Sequence, residues 1–394
     1  MYLVLLIIYK SNVISIKMTL LTKSQEIETL CNNLKKEPFI CVDTEFIREK
    51  YYYPKLCLIQ IGDSKGNGWA IDPLINQINL SPIFELLLDK KILKVLHSPR
   101  QDFEIIFNIL KKIPTPIFDT QSAAMCCGFG DSASYESLVK NISNINLDKS
   151  ARYTNWENRP LNEKQIKYAI SDVTYLSEIY LFLNNHMEKN KRINWIKEEI
   201  EKFNDLSLYK TESQNAWKRI KFNSSNNKTM SIFRQIAALR EELAKSNNIP
   251  RNKIFRDDVI IKLTKNPPNN IKDFDNLRGM NLKHIDISYK NKILNYIKIG
   301  KNEKNIDWLN KRNINTPSKA ITDILKIILL SSAEKHNISP LLIANKEDLK
   351  LIALGEKDVK ALKGWRYDIF GSFAIKLMEG KFSLKIKNGS VIID

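Results

Sequence analysis

Strand-like runs in this chain stop at about Ser207, and everything after that point has the spacing of helices. The shift restricts the fold severely. A sheet must come from the first half, while the second half must bury helix against helix. Before the shift, residues 38–43 form a short apolar run with the length of a buried strand. Residues 56–61 and 68–71 are two more, with Gly62, Asp63, Gly66 and Asn67 between them, which predicts antiparallel hairpins. Strand-like and helical segments then alternate: a helix over 81–88, a strand over 92–96 and a helix over 100–110. A short strand at 117–118 runs into a helix ending at 125, and 162–185 reads as one long amphipathic helix. The pattern predicts a mixed α/β sheet.

Beyond Ser207, residues 213–220, 231–246, 257–264 and 282–299 have helical spacing. Thr316-Pro317 marks a boundary, and 318–337, 346–354 and 367–379 are helical again. Pro267, Pro268 and Pro340 fall in loops between these helices. The expected divisions are therefore a unit over 18–206 and two small helical units over 210–292 and 300–394. Residues 1–17 hold an apolar octet, Tyr2 to Tyr9, too short to cross a bilayer and without a basic lead or a cleavage site. They are read as a non-native leader before Met18, and the chain as free of membrane.

Charge supports the division. The formal net charge of +18 splits into +2 over residues 1–200 and +16 over 201–394. A neutral half joined to a basic half suggests one part that holds a polyanion and another that acts on it. Five cysteines, none in a CxxC pair, fit reduced thiols in the cytoplasm, and only four histidines argue against a zinc site.

The chemistry is concentrated in four carboxylates and one tyrosine. Asp43 and Glu45 lie two apart at the end of the first strand, so both face one side. Asp102 begins a helix, whose N-terminus favours its charge. Tyr168 and Asp172 are four apart on a helix and share a face. Four carboxylates match two divalent ions, Mg²⁺ or Mn²⁺, which prefer hard oxygen ligands and can clamp a phosphodiester between them. Tyr168 would orient the attacking water, since a phenol titrating near ~10 is a poor base. Singly, each residue has a bland reading as a strand-end, helix-start or helix-face group. It is their order and placement together that point to a site.

The segments that carry these residues are Cys41-Val-Asp-Thr-Glu-Phe46, Tyr53 through Ile61, His97-Ser-Pro-Arg-Gln-Asp102 and Tyr168-Ala-Ile-Ser-Asp172. With Phe118 to Gln121, Cys127 to Gly130, Leu147 to Ser150, Trp156 and Arg159 to Leu161, they make the chain resemble the DEDD exonucleases with tyrosine in the last motif, most closely the ribonuclease D family. The resemblance implies an α/β ribonuclease H-like exonuclease domain. Asp43, Glu45, Asp102 and Asp172 would be its metal ligands, and all four plus Tyr168 its catalytic residues. Arg234, Ala238 to Arg240, Asn248 to Arg251 and Asp257 resemble the helical domain called HRDC. Leu362 to Arg366 with Phe370-Gly371 resembles the end of a second, divergent copy.

The implied function is a 3′→5′ exoribonuclease that releases nucleoside 5′-monophosphates and trims tRNA precursors with 3′ extensions, with no obligate protein partner evident. Two alternatives stay open: a DNA 3′→5′ exonuclease, and an inert nucleic-acid-binding protein. His97 and Asp119 are read as structural, Asp119 as a cap on the following helix. Trp217, Trp308 and Trp365 are open between packing and base contact.

Overall fold

A computed structural model describes residues 19–276, 287–304, 317–381, 383–387 and 390–393. The expected leader, Thr316 and Trp308 lie outside the described residues. The strands β1 (Thr19–Leu21), β2 (Phe39–Ile47), β3 (Lys55–Gly62), β4 (Gly68–Ile71), β5 (Leu93–Leu96) and β6 (Ile117–Asp119) form one sheet in the order β1-β4-β3-β2-β5-β6. β2, β3 and β4 pair antiparallel as a meander, while β5 and β6 join parallel to β2. This is the mixed sheet that the strand runs predict.

Among the described residues, eight helices of the first half flank the sheet. They are α1 (Ser24–Leu34), α2 (Ser81–Leu88), α3 (Arg100–Leu110), α4 (Thr120–Cys126), α5 (Tyr135–Ser143), α6 (Glu163–Thr174), α7 (Leu176–Lys189) and α8 (Ile193–Glu201). The single helix expected over 162–185 is two. Its start is as read, because the Asn162 and Gln165 side chains make a reciprocal capping box. It breaks at Tyr175, which ends α6 and begins α7. Just before the break, the Thr174 hydroxyl donates back to the Ile170 carbonyl at 2.8 Å, a bond that bends helices. The apolar spacing runs on through the break (Ala169, Ile170, Val173, Leu176, Ile179, Leu183), so periodicity hides it.

α6 lies close over the β3–β4 hairpin. A Cβ on Gly62 would stand 3.0 Å from the Val173 carbonyl oxygen, and one on Gly68 would stand 2.9 Å from Ile170 Cγ2. These two glycines let the helix approach the sheet.

The first helical unit is α9 (Asn227–Asn247), α10 (Arg251–Ile254), α11 (Asp257–Lys265) and α12 (Ile287–Asn302) around a core of its own, including Phe233, Ile236, Ile260 and Ile293. Residues 213–220 are helical as expected, but as a 3₁₀ turn over Ser213–Arg219. α12 runs past the boundary expected at 292, and Gly300 rests against the backbone of Ile232 on α9. The resembling residues have structural partners. Arg240 bonds Asp257 at 2.6 Å and the Phe255 carbonyl at 3.1 Å.

The last unit is α13 (Lys319–His336), α14 (Pro340–Ile343), α15 (Lys346–Ala353), α16 (Gly364–Arg366) and α17 (Ser372–Met378), with a π turn over Tyr367–Gly371. A hairpin of β7 (Leu384–Lys387) and β8 (Ser390–Ile393) follows. That hairpin corrects the expectation of helices alone after Ser207. It is too short for alternation to stand out, and it is tied to α13 by a bond from the Ser331 hydroxyl to the Val391 carbonyl. The last unit shares one continuous core with α4, α7 and α8. Trp365 packs there, its ring stacked 4.2 Å from Trp195.

Candidate active site

The alternation of β2 aims the first carboxylates. Asp43 and Glu45 share a face by alternation, and the register with β3 shifts between Glu45 and Phe46. The extra residue is Cys57, so β3 is the strand that bulges, just beyond the stretch paired with Asp43 to Glu45. α6, held close by Gly62 and Gly68, brings Tyr168 and Asp172 over the same face. Among the described residues, Asp43, Glu45 and Asp172 each place a carboxylate oxygen within 4.8 Å of the others.

Asp102 stands in the first turn of α3, buried beside this group. It is not one of the three that converge most closely. The Thr44 hydroxyl donates to its Oδ1, so the residue between Asp43 and Glu45 ties the fourth carboxylate to the same strand. Thr44 is a site residue that the sequence did not single out, although it sits inside the Asp-x-Glu triplet.

The electrostatics are those of crowded negative charge. Burial, then Asp102, Asp172 and Glu45, hold the Asp43 carboxyl well above its usual range. Burial, then Asp172 and Asp102, push Glu45 up to about 9. Asp172 is raised to about 7 by burial, against a hydrogen bond from Tyr168. Asp102 is raised to about 6 by burial, opposed by the hydroxyl and backbone N–H of Thr44. Burial and the same carboxylates drive the Tyr168 phenol far upward, so it remains protonated. Its ring lies 6.1 Å from that of Trp156.

Such a set cannot ionise together without a cation. Arg152 lowers both Glu45 and Asp172. Its guanidinium is 3.6 Å from Glu136. Arg152 is the second residue that the sequence did not mark, since it sits in a loop without periodicity. The donors that converge are all oxygens, and a divalent metal fits them.

His97 stands apart from this group. Its Nδ1 is 2.9 Å from the Thr120 hydroxyl, and burial holds its imidazole below the usual value. Asp119 caps α4 by accepting from Gln121 N, and it accepts from Ser98 N as well. Asp119 is the helix cap read from the sequence, and His97 contacts Thr120 outside the group of convergent carboxylates.

Comparison with known proteins decides the family. The chain is 38% identical to the ribonuclease D of Bartonella henselae over 95% of its own length and 93% of the relative's. It is 35% identical to the ribonuclease D of Jannaschia sp., covering 95% and 98% of the two chains.

The chain belongs to the ribonuclease D family.

A 3′-5′ exonuclease family matches residues 18–188, and the HRDC domain matches 230–297. The crystal structure of Escherichia coli RNase D, described as an exoribonuclease involved in structured RNA processing, superposes with a TM-score of 0.76 at 24% identity. That match covers 92% of this chain and 98% of the other, so the fold of the ribonuclease D family extends over nearly the whole molecule. As a member of this family the protein is a 3′-5′ exoribonuclease. Among the described residues, no helix is long and apolar enough to cross a membrane.

Proposed function

We propose that the protein shortens RNA from its 3′ end by hydrolysing the terminal phosphodiester, releasing nucleoside 5′-monophosphates, with two divalent ions, Mg²⁺ or Mn²⁺, held by Asp43, Glu45, Asp102 and Asp172. The convergence of Asp43, Glu45 and Asp172 on one point carries the reading. Bound there, the ions supply Lewis acidity, which lowers the pKa of water and offsets charge on the attacking and leaving oxygens.

The chain's own residues set the geometry. Thr44 fixes the Asp102 carboxylate. Regular pairing of β2 with β3 from Asp43 to Glu45 keeps the two carboxylates on one face. Tyr168, kept neutral by burial and the surrounding carboxylates, has a hydroxyl that positions the attacking water without needing to remove its proton. Arg152 tempers the repulsion felt by Glu45 and Asp172.

Family resemblance supports tRNA precursors with 3′ extensions as the substrate. The five cysteines are free and buried, which supports a reducing compartment such as the cytoplasm. The proposed division is an exonuclease domain over 18–206, an HRDC domain over 210–292 whose last helix runs on to Asn302, and, after that helix, a divergent HRDC-like unit to 394 that shares the exonuclease core.

The test compares three substrates of matched 3′ sequence: a tRNA precursor with a 3′ extension, an unstructured RNA and a DNA. The precursor should be trimmed to a defined end and the RNA shortened faster than the DNA. Faster degradation of the DNA would overturn the assignment.

A further inference from the structure

A cleft of about 590 Å³ lies between the exonuclease domain and the first helical unit, floored by α3 and the segment that joins the two. Its walls carry many more cations than carboxylates. Lys111, Lys210 and Arg219 are exposed, and no ion pair among the described residues engages them. Arg100 is a fourth such cation, and it precedes Asp102 by two residues on α3. Glu104 and Glu212 are the acidic lining residues, and Glu104 is already paired with Arg48 at 3.0 Å.

The cleft is a built feature. The Tyr52 hydroxyl donates to Glu241 of α9, and the Tyr53 backbone N–H donates to Asn248 Oδ1 at 3.0 Å. Arg251 pairs with Glu241 at 3.0 Å and lies over the Tyr52 ring. These bonds fix the β2–β3 turn against the helical unit. Tyr53 remains 39% exposed in the wall that it shares with these cations.

Arg48 and Arg100 place one end of the cleft at the same ends of β2 and α3 that carry Glu45 and Asp102, although none of the site carboxylates lines it. Arg48 follows Glu45 by three residues, about 10 Å along a strand. Arg100 to Lys111 spans the length of α3, about 16 Å at 1.5 Å per residue. Cations on both walls with an exposed aromatic residue are the pattern that tracks a nucleic-acid backbone while bases stack.

We infer that this cleft binds the sugar–phosphate backbone of the RNA upstream of its 3′ end. Lys111, Lys210 and Arg219 pair with phosphates, and Tyr53 offers a stacking face. The inference rests on the exoribonuclease reading. It adds that the grip is made jointly by the exonuclease and helical parts, and not by the helical half alone.

The test is the ratio of kcat/KM on a 20-nucleotide RNA to kcat/KM on a dinucleotide, which is too short to span the cleft. The full chain carrying Lys111→Gln, Lys210→Gln and Arg219→Gln should show that ratio reduced at least 10-fold, mainly through KM. A control triple, Lys35→Gln, Lys90→Gln and Lys91→Gln, removes exposed charge ahead of the N-terminal ends of β2 and β5, the opposite edge from the carboxylates. It should leave the ratio within 2-fold of wild type.

Binding of the 20-nucleotide RNA across a salt series gives a second readout. Three lost contacts should flatten the slope of log affinity on log salt by about 2, at ~0.7 per contact for a single strand. An unmoved ratio in the cleft triple, or an equal fall in the control, would overturn the inference and leave the cleft's charge to an acidic protein partner. A wild-type chain that cleaved neither RNA would overturn the exoribonuclease reading itself, which separates the two failures.

Discussion

Asp43, Glu45 and Asp172 are costly neighbours until a cation arrives. Their folded-state carboxyls titrate above the usual range, Asp172 at about 7. A raised carboxyl contributes stability that is complete when protonated and is lost as pH rises toward the folded value. For Asp172 that window runs from its ordinary value, 3.8, to about 7. In EDTA, wild type should therefore lose melting temperature across this window relative to Asp172→Asn, and a divalent metal should reverse the loss. Saturation at 100 times Kd adds about 2.7 kcal/mol to wild type. The variant should gain little from metal, and its hydrolysis should fall by more than the ~10²-fold that losing a supporting residue costs. Equal metal-dependent melting shifts in the two proteins would remove Asp172 from the metal site. Tyr168→Phe separates positioning from ligation. The ring keeps its packing near Trp156, so turnover should fall roughly 10²-fold while the metal-dependent melting shift stays. Unchanged turnover would make Tyr168 a packing residue. The placement of these four residues on common faces was legible in the sequence because alternation on a strand and a four-residue helix repeat place side chains without help from the rest of the fold. Thr44 and Arg152 were not, because their roles depend on what stands across from them.

At the scale of elements, the site depends on how closely α6 approaches the sheet. Gly68 makes that approach possible, since an added Cβ would meet Ile170 Cγ2 at 2.9 Å and Thr174 Oγ1 at 3.1 Å. Gly68→Ala should therefore push α6 outward and carry Tyr168 and Asp172 with it. A displacement near 1 Å can cost about 10²-fold in rate. The expected result is a drop in kcat of that order, with a melting temperature reduced by only a few degrees. A variant with full kcat would show that α6 tolerates the shift. The helix break at Tyr175 belongs to the same scale. Continuous apolar spacing from Ala169 to Leu183 reads as one helix, because periodicity reports which face is buried and not whether the axis turns. The C-terminal hairpin was missed for a related reason, since each of its strands has four residues and too few alternations to register.

The charge split in the sequence suggests independent halves, and on that view a fragment ending near Leu206 would fold and hydrolyse short oligonucleotides alone. The whole molecule argues otherwise. Leu183, Met187 and Ile196 of the exonuclease part share a core with Leu325, Ile328 and Phe370 of the last unit. Arg366, buried there, bonds Glu198 Oε2 at 2.8 Å and pairs with Glu199, while its Nε donates to the Leu342 carbonyl. Burial raises the Glu199 carboxyl, but Lys360, Arg366 and Lys202 more than offset this and hold it below its usual value. Truncation at 206 should therefore yield an aggregating or weakly folded fragment. Arg366→Ala in the full chain should cost about 3–5 kcal/mol, as losing one partner of a buried ion pair does. Denaturant unfolding measures both, and a cooperative, wild-type-like transition in either would refute the shared core. Charge was readable residue by residue, whereas the shared core needs contacts between segments more than a hundred residues apart. The central claim, metal-dependent hydrolysis from the 3′ end at these carboxylates, is tested most directly with one RNA labelled separately at each end. Wild type with Mg²⁺ or Mn²⁺ should release the 3′ label at once as a mononucleotide and leave a shrinking ladder on the 5′ label, with neither product in EDTA or with Asp172→Asn. Early release of the 5′ label, or cleavage that persists in EDTA, would contradict it.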